Sequence, residues 1–82
     1  MTTQADIREW LERGQGKGAT HVIVMCDTFD WDDYPVFVDS NQNIRDEVAR
    51  LQNGGNMQKI MEVYNLSLDI EAQINEDRSF NF

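Results

Sequence analysis

The sequence predicts an α+β fold, a small antiparallel sheet of about three strands with helices packed on it, in the order α-β-β-α-β-α. Segments rich in β-branched and aromatic side chains are typical of strands, and they lie at residues 20–26, 35–38 and 59–66. Around them, apolar residues recur at the spacing of amphipathic helices. With 82 residues the chain has the size of a single domain, residues 1–82, with a thin core.

The first helix is predicted to begin after Thr3, because its hydroxyl suits an N-cap and Asp6 supplies the second half of a capping box. Ile7, Trp10 and Leu11 then form an apolar stripe at helical spacing. Opposite charges are expected to pair across one turn on the outer face. These pairs are Arg8–Glu12 and Glu9–Arg13.

Gly14 is expected to end this helix as its C′ residue, and the glycine-rich residues 14–18 are expected to form a flexible connector. The glycines invite comparison with a phosphate-binding loop. That comparison fails, because a Walker loop has the spacing GxxxxGK[ST] and lies between a strand and a following helix. Here the glycines follow a helix and precede a strand.

The strand at 20–26 carries apolar side chains on both faces, which is typical of a central strand covered on both sides or of one at a dimer contact. Because a chain this short has few residues to cover two faces, we also expect a homodimer. The second strand is predicted from Pro35 to Val38, since proline suits the first residue of a strand. The first strand should point Val22, Val24 and Cys26 one way and Ile23 and Met25 the other.

Residues 39–43 offer several caps for a second helix. Asp46 and Arg50 are expected to pair on its outer face, and residues 53–56 to end it. Its apolar stripe consists of Ile44, Val48 and Leu51.

Residues 57–66 are ambiguous, because their apolar side chains fit helical spacing while several of them prefer strands. Two strands alone are marginal in water, so we predict a third from about Lys59 to Leu66. A last helix is expected to begin at Ser67 or Asp69, and the tail 79–82 is expected to dock on the body of the domain. The inward side chains of the last helix are Ile70 and Ile74.

The acidic balance disfavours several kinds of partner. The chain has 15 acidic and 7 basic side chains, a net charge of −8 and a sequence pI near 4.3. Nucleic acids and anionic membranes are disfavoured, because phosphate contacts need clustered lysine and arginine. A partner protein with a basic surface is favoured, although acidity also helps to keep a small protein in solution.

The single cysteine, Cys26, cannot form an internal disulfide, so the chain suits a reducing compartment. The N-terminal residues lack the basic and apolar regions of a secretory signal. No apolar run approaches the roughly 20 residues that span a bilayer. We therefore expect a cytoplasmic protein.

The candidate functional surface is the segment between the first two strands, residues 27–34, which we call the acidic-aromatic loop. Tryptophan and tyrosine dominate binding hot spots, and the aspartates would steer a basic partner. Alternatively, Phe29 and Trp31 fold back and cap the thin core. The predicted partner-binding residues are Asp27, Phe29, Asp30, Trp31, Asp32, Asp33 and Tyr34.

We predict no catalytic residues, no metal site and no cofactor. His21 and Cys26 have opposite parity in one strand and lie ~17 Å apart at ~3.3 Å per residue, so neither can activate the other. The loop misses the calcium-binding EF-hand pattern, because positions three and five counted from Asp27 are Phe29 and Trp31. The sequence has no set of histidines and cysteines that could bind zinc. Acid–base catalysis needs two carboxylates in different environments, and nothing in the sequence gives the loop carboxylates different environments.

The stretches GATHVIVMCDTFDWDDYPVFV and NMQKIMEVYNL resemble short uncharacterised proteins of tailed bacteriophages. The likeness covers residues 10–78, and its most specific piece is CDTFDxxDYPV at residues 26–36. It implies a phage origin and an accessory role in takeover of the host or in countering host defence. It transfers no catalytic residues.

These observations lead to three hypotheses about the function. The leading one is a non-enzymatic phage-type protein that inhibits or redirects a host protein by masking a basic surface. If that target binds nucleic acid, the acidic surface would imitate phosphates. The second is a protein that sequesters a small ligand such as a nucleotide signal, with Lys17, Arg45 or Lys59 as anion partners. The third is a structural virion or assembly component.

Overall fold

The structure, a computed structural model, describes residues 3–54, 58–76 and 80–82. It confirms the α+β fold and the order α-β-β-α-β-α, with a three-stranded antiparallel sheet in the order β2-β1-β3. The helices and strands are α1 (Gln4–Lys17), β1 (His21–Asp27), β2 (Asp32–Val38), α2 (Ile44–Asn53), β3 (Gln58–Asn65) and α3 (Ile70–Ile74).

The central strand β1 pairs along its whole length with both neighbours. Its pairing with β2 is regular, whereas its pairing with β3 shifts register between Val24 and Met25. Glu62 lies opposite Val24 and Ile60 opposite Met25, so Met61 is the additional residue of a β-bulge. Ile60 and Met61 pack on different faces of the sheet, as consecutive residues of a strand do.

Helices of the same chain cover both faces of β1. On one face α1 and α3 pack over the sheet, and on the other face α2 does so. The α1 side centres on Leu11, Val22, Val24, Tyr64 and Ile74, and the α2 side on Ile23, Met25, Val38, Val48, Leu51 and Val63. The expected central strand is confirmed. The homodimer stays a prediction, but its stated reason is gone because β1 leaves no apolar face uncovered.

The expected end of α1 at Gly14 is wrong, because the helix continues to Lys17. A Cβ atom on Gly14 would lie 2.9 Å from Val22 Cγ2 and 3.1 Å from Leu66 Cδ1. Glycine at this position therefore lets the helix approach the sheet closely. The helix ends at Gly18, which has a left-handed φ of 77°, so residues 14–17 are helix and not a flexible connector.

The start of α1 and one of its ion pairs are as expected. Thr3 and Asp6 form the capping box, and Arg13 pairs with Glu9 at 2.8 Å. Arg8 does not pair with its predicted partner one turn away. It instead donates two hydrogen bonds, of 2.9 and 2.8 Å, to the carboxylate of Glu71 on α3. This ion pair joins the two helices that cover one face of the sheet.

The second strand is longer than the sequence predicts, because it begins at Asp32 and not at Pro35. Pro35 lies in the middle of β2, opposite Val24. It is tolerated there because β2 is an edge strand, where a missing N–H need not serve a neighbouring strand.

The second helix begins and ends where the sequence predicts. The side chain of Asn43 caps it by accepting hydrogen bonds from backbone N–H groups of the first turn, and the helix ends at Asn53. The expected pair between Asp46 and Arg50 does not form. Arg50 bonds to Glu47 instead, at 2.6 Å, because residues three apart are also neighbours on a helix.

The third strand and the last helix also agree with the prediction, with Asp69 as the N-cap of α3. The tail docks mainly through its backbone. Phe80 forms a parallel bridge with Val63, and the N–H of Asn81 donates to Val63 O at 3.0 Å. Phe80 and Phe82 keep about half of their side-chain surface exposed. Ser79 lies outside the described residues.

Candidate functional site

The acidic-aromatic loop joins β1 to β2 through the turn at residues 28–31. Asp27 organises this turn. Its carboxylate accepts a hydrogen bond from the N–H of Phe29 at 2.9 Å, and its carbonyl accepts one from the N–H of Trp31 at 2.6 Å. The sequence predicts that Asp27 binds a partner, but its carboxylate already accepts a hydrogen bond from the backbone of its own loop.

The two aromatic rings of the turn point into solvent. Phe29 is 71% exposed and Trp31 68% exposed, more than the other large hydrophobic side chains of the described residues. The alternative in which these rings fold back on the core is therefore wrong. The core closes without them, because the helices cover both faces of the sheet.

Trp31 has a backbone conformation that large side chains rarely adopt. Its φ is 59°, in the left-handed region, where Gly18 is the other residue among those described. Aromatic residues are uncommon in this region, since the Cβ atom crowds the backbone. An exposed ring gains little from burial that could offset such strain. Folding therefore does not account for a tryptophan at this position.

The carboxylates that flank Trp31 form no ion pair within the described part of the chain. Asp30 and Asp32 are exposed and Asp33 is half-buried. Tyr34 differs from the rest of the loop. It packs against the α2 side of the core, and its hydroxyl donates to Gln58 Oε1 at 2.9 Å.

A groove of about 710 Å³ lies beside the loop on the α1 side of the sheet. Its apolar wall is formed by Trp10, Trp31 and Met61, and its acidic groups are Asp6, Asp32 and Asp33. Lys59 reaches into the same groove, with its Nζ 5.6 Å from the centroid of the Trp31 ring.

Sequence reasoning missed the parts of the groove that come from α1 and β3. Trp10 appeared as a core residue of the first helix, and Lys59 as a ligand for an anion. Trp10 does pack against the α1 side of the core, as its place in the apolar stripe of the first helix predicts. No sequence pattern, however, shows that Trp10, Lys59 and the loop meet.

Cys26 lies in the wall of the groove but is buried, with its Sγ 3.8 Å from the carbonyl oxygen of Asp27. Burial raises the pKa of the thiol, and the neighbouring carboxylate of Asp33 raises it further. A thiol that stays protonated is a poor nucleophile.

His21 lies at the opposite end of β1 from Cys26. Its Nδ1 is 2.9 Å from Thr20 Oγ1, and its buried Nε2 has no hydrogen-bond partner within the described part of the chain. Burial lowers the pKa of His21, and the backbone of Phe82 only partly opposes this. His21 and Cys26 therefore lie apart, near opposite ends of the strand, as their positions in the sequence predict.

The cations proposed for a small anionic ligand do not converge. Lys17 Nζ lies 4.7 Å from the ring centroid of Phe37, and Arg45 Cζ lies 5.4 Å from that of Phe82. Lys59 contacts Trp31 among carboxylates. A second cavity, of about 530 Å³ near His21, has none of these cations in its lining.

Comparison with models of known protein families, with curated proteins and with solved structures finds no match. Within residues 3–54, 58–76 and 80–82, no group of three or more metal-ligating side chains is placed to hold an ion. No helix in that part of the chain has the length and apolar character needed to cross a membrane.

Proposed function

We propose that this chain is a non-enzymatic binding protein that attaches to a basic surface of another protein through its acidic-aromatic loop. The observation that carries this proposal is Trp31, which is 68% exposed although its φ is 59°. Strained residues persist where the surrounding structure enforces them, and they concentrate at functional sites. Tryptophan is also, with tyrosine and arginine, enriched among the residues that dominate binding interfaces.

The distribution of charge supports a basic partner. Every lysine and arginine among the described residues already contacts a carboxylate or an aromatic ring of the same chain. No described cation forms an ion pair with Asp30, Asp32 or Asp33, so a partner that supplies cations gains their attraction. Such complementarity mainly speeds association and selects the partner.

The resemblance to bacteriophage proteins supports a host protein as the target. Masking a basic surface would inhibit or redirect that protein. Where the masked surface normally holds nucleic acid, the carboxylates of the loop would take the positions of phosphates. No specific observation favours the sequestration of a small anionic ligand, because the three candidate cations lie apart and each contacts an aromatic ring. No specific observation favours a structural role in the virion either.

A capture experiment with a matched control tests this proposal. The wild-type protein is immobilised beside a loop variant, in which Asp30, Asp32 and Asp33 become asparagine. The control variant loses three charges elsewhere through Glu12→Gln, Asp39→Asn and Asp46→Asn. Bacterial lysate is passed over all three, and each retained protein is then purified and titrated against them.

We expect the loop variant to lose a basic protein that the control variant retains. Equal loss from both variants would show that net charge alone causes retention, and would contradict a specific role for the loop. Retention by all three proteins would contradict it as well.

A further inference from the structure

Lys59 places a cation in the groove of the free protein. Its Nζ lies 5.6 Å from the centroid of the Trp31 ring, within the range of about 6 Å in which an aromatic face attracts a cation. The side chain is exposed and projects from β3, opposite Cys26 of the central strand. The chain thus directs a cation of its own to the ring that we propose as the anchor for a partner.

The other groups of the groove also suit a cation. Trp10 and Trp31 offer aromatic surface and Met61 a polarisable thioether, while Asp6, Asp32 and Asp33 supply negative charge. Lys59 can balance the charge of only one of these three carboxylates, so the groove keeps an excess of negative charge. The volume of about 710 Å³ is larger than one lysine ammonium requires, so the groove has room for a further side chain.

We propose that the groove receives an arginine side chain of the basic partner, and that Lys59 occupies its place until the partner binds. This inference rests on the function proposed above and specifies the group that the site recognises. Arginine fits better than lysine, because its planar guanidinium stacks on aromatic rings and bonds carboxylates through two parallel N–H groups.

Binding then exchanges one cation for another. The guanidinium takes the face of Trp31 and bonds to Asp33 or Asp32, and the flexible side chain of Lys59 moves into solvent. Because β3 is held by β1 along its length, only the side chain has to move. Lys59 therefore acts as an internal competitor that weakens the binding of every cationic ligand.

The test uses three short basic peptides that differ at one central position, which is arginine, lysine or the neutral isostere citrulline. Each is titrated by calorimetry into the wild-type protein, the variant Lys59→Met and the control Lys17→Met. Lys17 contacts Phe37, and it is absent from the lining of the groove, so its replacement removes the same charge elsewhere. Melting curves establish that each variant is folded.

We expect the arginine peptide to bind best and the citrulline peptide worst. Lys59→Met should tighten binding of the arginine peptide about two- to fivefold relative to Lys17→Met, which is the size of an exposed cation–π contact. Asp33→Asn should reduce the preference for arginine over lysine, since it removes an acceptor of the guanidinium.

Equal binding by the two lysine variants, or equal binding of the arginine and citrulline peptides, would overturn the inference. The proposed function would survive that result if the loop variant, with asparagine at positions 30, 32 and 33, still bound the captured protein more weakly than the wild-type protein at low salt. Failure of all basic peptides to bind the wild-type protein would overturn the inference as well, whereas equal loss of the captured protein from the loop variant and the control variant would contradict the proposed function.

Discussion

The backbone N–H of Trp31 donates to the carbonyl oxygen of Asp27 at 2.6 Å, and this bond closes the turn with Trp31 in the left-handed region. The backbone at this position would suit glycine or asparagine, both of which adopt that region readily. The ring of Trp31 can therefore be removed without disturbing the turn.

We predict that Trp31→Gly and Trp31→Asn leave the protein at least as stable as the wild type, because the ring is exposed and both residues adopt the left-handed region with less strain. A buried tryptophan would cost ~3–5 kcal/mol on truncation. Both variants should weaken binding of a captured partner by ~2 kcal/mol or more, since they lack a hot-spot ring. Urea denaturation and calorimetric titration measure the two quantities. Normal binding by either variant would contradict the anchor role.

A second prediction concerns the approach of α1 to the sheet. A Cβ atom at Gly14 would lie 2.9 Å from Val22 Cγ2, whereas one at Gly16 would have no neighbour within 4 Å. Gly14→Ala should therefore destabilise the protein, because overpacking of ~1–3 kcal/mol exceeds the gain in helix propensity of ~1 kcal/mol. Gly16→Ala should stabilise it by up to ~1 kcal/mol. If both variants proved more stable, the close approach would be refuted.

A third prediction follows from the ion pair between Arg8 and Glu71. The hydrogen bonds and charge of Arg8 lower the pKa of Glu71 below its ordinary value of 4.5. A depressed carboxyl pKa stabilises the folded state above pH 4.5, and this contribution is lost as the pH falls through the folded-state pKa. Glu71→Gln should thus lower the urea midpoint at pH 7 and have little effect near pH 3. A difference of equal size at both pH values would exclude the ion pair as its cause.

A fourth prediction concerns Cys26. Replacing it with serine buries a hydroxyl where the acceptor of the thiol, the carbonyl oxygen of Asp27, lies 3.8 Å from Sγ, too far for an O–H···O hydrogen bond. The melting temperature should therefore fall by roughly 5 °C or more. Partner binding should persist, because the thiol has a raised pKa and no activating base. The wild-type thiol should also react slowly with a thiol reagent at neutral pH. A serine variant that melts normally but binds nothing would show that the thiol itself takes part in function.

Sequence patterns predict the elements of this fold where one local rule applies. The alternation along β1 and the stripe of α2 both reflect burial on a defined face, and the caps at Thr3 and Asn43 satisfy backbone groups nearby. The ambiguity at residues 57–66 has a physical source in the bulge at Met61. An additional residue breaks the period of two, so the apolar side chains of a strand mimic helical spacing.

Other features depend on tertiary contacts that no local pattern contains. Glycine at position 14 looks like a helix end until Val22 is known to lie against it. The loop was predicted as the candidate surface, but its groove also requires Trp10 from α1 and Lys59 from β3. The residues of this site are far apart in the sequence, so only the folded structure shows that they lie together.

The central claim is that the acidic-aromatic loop binds a basic partner, and association kinetics test it most directly. The captured partner is passed over the wild-type protein and over the variant with asparagine at positions 30, 32 and 33, at increasing salt concentration. We predict that the variant associates more slowly at low salt and that the difference disappears as salt rises, because exposed charges are screened beyond ~8 Å at physiological ionic strength. Equal association rates at low salt would contradict the claim.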